Sequence, residues 1–530
     1  MNFYIAESIM SEHDDTSVVG AGPVEYGGAA VVGTGPVAGS APVAVVGAGP
    51  VGLAAGAQLA ERGVEFVVLE SGPSVASAIE EWRHVRLFSP WRYDIDAAAR
   101  RLLEAAGGWT EPDLAALPTG GELIDAYLEP LTKTPQLSGR VRYNSTVTAV
   151  TRLGFDRVRT TGRETAPFLV RLADGSELLA SAVVDATGTW RRPNVLGGSG
   201  IPARGETDPH VAARLVRALP DVLGRDRERF AGRRTAVVGA GHSAATTLLE
   251  LGELVEQHPG TEVLWVVRGN NQARTYGGGD SDELPARGAL GTRLKHLVQS
   301  GRVELVSNFR TESIELADPV APAGQSAGTG RLVLVDGERR VVVDAVVNST
   351  GFRPDHDMVS ELRLDLDPIL GSTRELAPLI DPNKHSCGTV PPHGVDQLTH
   401  PEPGYYAIGA KSYGRAPTFL LATGYEQARS VAAALAGDWE AARDVHLILP
   451  ETGVCSSNLA YSPPHANPAS TNATSGTTNA VGCTSADAIG QTSSDAAAGC
   501  CRPAPQTIEL TTHVRQGGRS LVYLRTGSGG

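Results

Sequence analysis

An α/β fold with two Rossmann-like dinucleotide-binding units follows from three features of the sequence. Glycine-rich turns follow short apolar runs at VVGAGPVGLAAG (Val45–Gly56) and VVGAGHSAATTL (Val237–Leu248). Each turn leads into a helical pattern and then a second apolar run, EFVVLES or TEVLWVVRG. Two further apolar runs, AVVDATG and AVVNSTG, end in a small residue, Thr and Gly. Apolar strands alternating with helical patterns are the mark of parallel sheets covered by helices.

The first glycine loop has to be chosen from three copies, because VVGAGPV and VVGTGPV also occur at Val18–Val24 and Val31–Val37. A dinucleotide loop needs a strand leading in, a helix leading out and an acid at the end of the next strand. The first two copies run into EYGGAA and AGSAP, where no helix fits, and carry Glu25 and Ala38 at the third glycine position. The third copy meets every condition. Val43–Val46 is the strand, and Gly47, Gly49, Pro50 and Gly52 form the loop and helix start. LAAGAQLAERG is the helix, with Arg62 at its negative end and Gly63 as its left-handed cap. Glu70 closes the next strand, at the distance expected of an acid that binds ribose hydroxyls. Residues 1–40 therefore read as a low-complexity leader.

The second unit starts at Thr235. Gly239 and Gly241, followed by Ser243 and Ala244, form its loop, and HPG ends its helix. Its second strand ends in Arg268 in place of an acid. A guanidinium grips a 2′-phosphate where a carboxylate would repel it, so the unit favours NADPH over NADH, with Arg274 as a second candidate. The small-Thr-Gly ends, at Thr187 and Gly188 and at Thr350 and Gly351, allow close backbone approach to a cofactor or a neighbouring domain.

The order GAGPVG, Glu70, DATG, GAGHSA, Arg268, STGFRPD resembles the flavoproteins with two dinucleotide-binding domains, over Pro42 to Asp438. These include thioredoxin-reductase-like enzymes and class B flavin monooxygenases. The resemblance implies FAD on the first module and NADPH on a second module inserted within it. The implied division is 41–200 and 341–445 for the FAD-binding domain, 201–231 as a connection, 232–340 for the NADPH-binding domain and 446–530 as a tail. It implies a Trp near the flavin, for which Trp82 stands in place. It also implies a last FAD segment, GYYAIGAKSYGRAPTFLLATGYEQ, whose helix start would carry Thr423 and Gly424. Gly409-Ala410 stands where many relatives have Gly-Asp. The monooxygenase signature FxGxxxHxxxY/F has only a loose counterpart in Gly205 and His210.

Composition narrows the chemistry. A net charge of −13 argues against nucleic acid and anionic membrane surfaces as partners. No apolar run is long enough to span a bilayer, and the N-terminus lacks a secretory pattern, so a cytoplasmic protein is expected. A small-molecule substrate is the expected partner, with a homodimer left open. No CxxC occurs between Pro42 and Asp438, which disfavours a dithiol relay. The loop DPNKHSCGTVPPHG supplies His385 and Cys387 as catalytic candidates beside Trp82, while His393 reads as a surface imidazole. No metal site is expected. The Ser/Thr/Ala/Gly-rich tail cannot bury enough surface to order itself, yet it carries Cys483, Cys500 and Cys501. SPWRYDID, PPHGVDQLTHPEPG and LPETGVCSS are similar to actinobacterial flavoproteins of arsenic-resistance neighbourhoods. The expected activity is hydride transfer from NADPH to FAD followed by monooxygenation. The alternatives are a reductase of a disulfide, metal or metalloid using cysteines, and a non-catalytic redox sensor.

Overall fold

The computed structural model describes residues 41–277, 279–317, 330–384, 390–417 and 419–447. The leader and the tail with its cysteines lie outside the described residues, as do His385 and Cys387.

Two modules are built on one plan. In the first, five parallel strands lie in the order Tyr405–Ala407, Ala182–Asp185, Val43–Val46, Phe66–Leu69 and Val141–Arg142. VAVV and FVVL are buried along their whole length, as strands covered on both faces must be. Val43 and Val45 face the helices Pro50–Glu61 and Leu421–Leu435. Ala44 and Val46 face an antiparallel sheet of Val147–Arg152, Phe168–Leu172 and Glu177–Ala180 through Val150, Phe168 and Val170. The odd and even positions of one strand thus fill two separate cores.

The second module repeats this arrangement. Its parallel strands run in the order Glu304–Val306, Glu262–Val266, Arg234–Val238, Ala345–Asn348 and Leu215–Arg217. Helices His242–Gln257 and Pro285–Gln299 cover one face. The antiparallel strands Ser313–Leu316, Leu332–Asp336 and Arg339–Val343 cover the other.

This pairing moves the expected boundaries. Ala345–Asn348, expected in the returning part of the first module, is the strand beside Arg234–Val238. Leu215–Arg217, expected in the connection, is the edge strand next to it. The reason is packing: Ala345 and Val347 fill the same core as Val237 and Trp265.

The chain crosses between modules twice, side by side. Pro193 and Phe352 form an isolated bridge, Arg353 donates its N–H to the Arg192 carbonyl at 2.9 Å, and Arg192 pairs with Asp355 at 2.9 Å. Elsewhere in the first module a buried carboxylate, Glu402, accepts from Arg152 Nε at 2.8 Å and Arg163 Nη2 at 2.8 Å. It fastens the antiparallel sheet to the segment that enters Tyr405–Ala407. Among the described residues no helix is long and apolar enough to cross a membrane.

Candidate active site

Each glycine loop is shaped by the strand end beside it. Gly47 has φ +102° and Gly239 φ +141°, a region that favours glycine. A Cβ at Gly47 would lie 2.8 Å from the Ala186 carbonyl oxygen, and one at Gly239 would lie 2.0 Å from that of Ser349. The two small-Thr-Gly ends therefore pack against the glycine loop of their own module. They are also the same turn built twice. Thr187 donates its hydroxyl to Asp185 Oδ1 at 2.7 Å, and Thr350 donates to Asn348 Oδ1 at 2.7 Å.

The middle glycines behave differently. Gly49 and Gly241 are the N-caps of helices of twelve and sixteen residues, and neither helix start receives a side-chain cap. A Cβ at either glycine would stand in open space. Uncapped N–H groups beneath an open approach are what a pyrophosphate requires. Pro50 occupies the first helical turn, where its missing N–H costs nothing. Gly52 serves the loop itself, since a Cβ there would meet the Gly47 carbonyl oxygen at 1.9 Å. Glu70 is buried and accepts from the N–H groups of Ala48 at 2.8 Å and Gly72 at 2.9 Å.

One cleft of about 820 Å³ joins these features. Gly47, Gly49, Pro50, Glu70, Thr187 and Gly188 line it from the first module. His242, Ser243 and Thr246 line it from the second-module helix start. Trp82 also lines it, in an aromatic row with Trp190 (ring centroids 6.3 Å apart) and then Phe352 (5.0 Å from Trp190). Phe88 of the first module meets the His242 ring at 4.9 Å. Trp190 follows the first Thr-Gly turn and Phe352 the second, so the aromatic wall sits on the two crossings.

Several predicted residues stand apart from the cleft wall. Gly239 and Thr350 shape the second loop, and Gly351 is hydrogen-bonded through its carbonyl to the Asn194 N–H at 2.8 Å. Gly241 marks the second helix start, and Ala244 is fully buried in that helix. Arg268 is exposed two positions beyond its strand, with Nη1 3.5 Å from the Gly198 carbonyl. Thr423 is buried, and Gly424 serves helix packing, since a Cβ there would lie 2.5 Å from Val51 Cγ2. At that end Phe419 and Leu421 line the cleft instead.

The structure adds one charged group that the sequence did not single out and moves a histidine that it did. Lys411 lines the cleft, yet its side chain is 1% exposed. Its ammonium lies 2.5 Å from Asp185 Oδ2 and 3.3 Å from Thr187 Oγ1, and Tyr405 donates to the same carboxylate at 2.9 Å. Burial alone would raise the Asp185 pKa; Lys411 and Thr187 outweigh it and hold the carboxyl below its usual value. His393, expected at the surface, is buried. Its Nδ1 lies 3.0 Å from the Pro391 carbonyl and so carries the proton, leaving Nε2 to accept from the Gln427 amide at 3.1 Å. Gln427 Oε1 in turn accepts from the Gly409 N–H at 2.8 Å. Burial lowers the His393 pKa and keeps the ring neutral, as this chain of bonds requires.

Residues 44–386 match the sequence model of the family described as pyridine nucleotide-disulphide oxidoreductase. In fold, the chain is similar to the bacillithiol disulfide reductase Bdr (YpdA) of Bacillus cereus, at 18% identity and a TM-score of 0.52, covering 75% of this chain and 99% of that one. The Staphylococcus aureus Bdr gives 15% identity and a TM-score of 0.52, covering 75% and 98%. DfoA, the FAD-bound cadaverine monooxygenase of desferrioxamine biosynthesis from Erwinia amylovora, gives 15% and 0.51, covering 78% and 99%. No curated protein matches the sequence.

Proposed function

The chain belongs to the pyridine nucleotide-disulphide oxidoreductase family, and on that premise we propose that it is an FAD- and NADPH-dependent monooxygenase acting on a small substrate. That it is an oxidoreductase using FAD and a pyridine nucleotide follows from the family. The choice of oxygen as acceptor rests on one observation: the matched stretch, 44–386, contains no cysteine. Electrons reach a disulfide substrate most directly through a protein dithiol. Within the matched stretch that relay has no counterpart, and only Cys387 stands close behind it.

When bound, FAD supplies the hydride acceptor and the centre that passes electrons to oxygen. The uncapped helix start behind Gly49 offers N–H groups to its pyrophosphate, and Glu70 offers carboxylate lone pairs to its ribose. The helix start behind Gly241 does the same for NADPH, and Arg268 reads the 2′-phosphate. Trp82, Trp190 and Phe352 line the common cleft with apolar surface, which excludes water from the reacting groups.

The test is NADPH oxidation by purified holoenzyme with and without oxygen, in the wild type and in Cys387→Ser. Oxygen-dependent turnover that survives Cys387→Ser supports the reading. Equal turnover without oxygen when a disulfide or arsenate is added, abolished by Cys387→Ser, would replace it with the reductase.

A further inference from the structure

We propose that Lys411 is a cofactor-contacting group, its ammonium donating to an acceptor oxygen or nitrogen of the bound flavin nucleotide. This rests on the reading that FAD occupies the first-module cleft. A buried lysine is costly unless paired, and Asp185 meets that need. Yet pairing does not explain why the lysine is there. A buried ion pair is commonly no more stable than apolar residues of similar size.

The second module supplies an internal control. It builds the same turn with neutral Asn348 in the place of Asp185. Thr350 bonds to Asn348 as Thr187 bonds to Asp185, and the Asn348 amide is satisfied by the Asn194 carbonyl at 2.8 Å. The turn therefore needs no charge. The ion pair belongs to the first cleft alone.

An ammonium carries three N–H groups. Two of the Lys411 donors are directed to Asp185 Oδ2 and Thr187 Oγ1. Among the described residues no acceptor is recorded for the third, and Lys411 lies in the cleft wall beside Gly409 and Thr187. A compact cation held by a carboxylate beneath it, with one donor remaining, is arranged to serve a ligand in the cleft. The chain has four lysines and 42 arginines. An ammonium on a thin stem fits this enclosed position, where a planar guanidinium would need more room.

Four proteins test the assignment: wild type, Lys411→Met, Asp185→Asn and the double variant Lys411→Met/Asp185→Asn. Each is stripped of flavin, its melting temperature is recorded, and FAD is titrated by flavin fluorescence. Lys411→Met alone leaves Asp185 buried without its partner and melts lower. The double variant removes both charges and recovers that stability. If Lys411 contacts the cofactor, the FAD Kd is raised about ten- to a hundred-fold in the double variant as well, the loss expected for a charged hydrogen bond. If the double variant binds FAD within about twofold of wild type, Lys411 serves only as the counter-ion of Asp185 and the inference falls. A wild type that binds no FAD overturns the function proposed above, and this inference with it.

Discussion

Gly241→Ala separates cofactor binding from folding in the second module. Gly241 has φ −94° and ψ −178°, extended backbone that alanine adopts freely, and the added Cβ meets no protein atom within 4 Å. The folded protein should tolerate the change within about 0.5 kcal/mol. The methyl group does occupy the approach to the helix start, where a phosphate must come within hydrogen-bonding distance of the N–H groups. A hydrogen bond between a backbone N–H and a charged oxygen contributes about 1.5–3 kcal/mol. Losing one raises the NADPH Kd by roughly 10- to 100-fold. Gly239→Ala is the contrasting variant. Its φ of +141° and the 2.0 Å approach to the Ser349 carbonyl oxygen mean that the loop itself must move. The assay is a titration of NADPH into oxidised holoenzyme, with melting temperature and flavin content measured in parallel. Gly241→Ala should keep both and lose affinity, whereas Gly239→Ala should melt lower. An NADPH Kd for Gly241→Ala within twofold of wild type would refute the cradle assigned to this helix start.

Arg268→Ala should raise the Kd for NADPH by about tenfold or more and leave that for NADH unchanged, as the loss of a charged contact to the 2′-phosphate predicts; equal losses for both nucleotides would contradict it. Glu402→Leu should destabilise the protein by about 3–5 kcal/mol in denaturant titrations, because Arg152 and Arg163 are left buried without a counter-charge. Burial pushes the Glu402 pKa up, but its arginines push it lower still, below the ordinary 4.5. Its contribution is therefore complete above that pH and is lost as the pH falls through the lowered value. Asp94 has the opposite sign. Burial raises its pKa from 3.8 to about 7 against a single opposing hydroxyl, that of Ser89. The folded chain holds this proton more tightly than the unfolded chain, so stability falls as the pH rises between those values. Asp94→Asn should remove that fall and gain on the order of 4 kcal/mol at pH 8 relative to pH 4, read from melting curves across the range.

What the sequence made legible was local. The two glycine loops could be placed because strand, positive-φ glycine and helix start lie within a dozen residues. What it concealed was brought together by sheet pairing. Lys411 and Asp185 are 226 positions apart and meet because Tyr405–Ala407 runs parallel to Ala182–Asp185. The scarcity of lysine was the signal that could have drawn attention to it. His393 lies in a Pro- and Gly-rich stretch that reads as surface loop, and its burial depends on Gln427 in a distant helix. Gly424 reads as a cofactor contact because it sits near a helix start, but its lack of a side chain admits Val51. By its place along the chain Ala345–Asn348 belongs with the first module, but strand pairing puts it in the other sheet.

The adjacency of Pro193 and Phe352 has an architectural consequence. The polypeptide departs from and rejoins the first module at neighbouring points, so the covalent attachment of everything between them passes through one doorway. The register of Ala182–Asp185 against Tyr405–Ala407 makes no demand on the size of that excursion. A shorter, longer or wholly different insert could be grafted at this doorway while the first sheet kept its pairing. The first module is in this sense a chassis, and the second a cartridge seated in it.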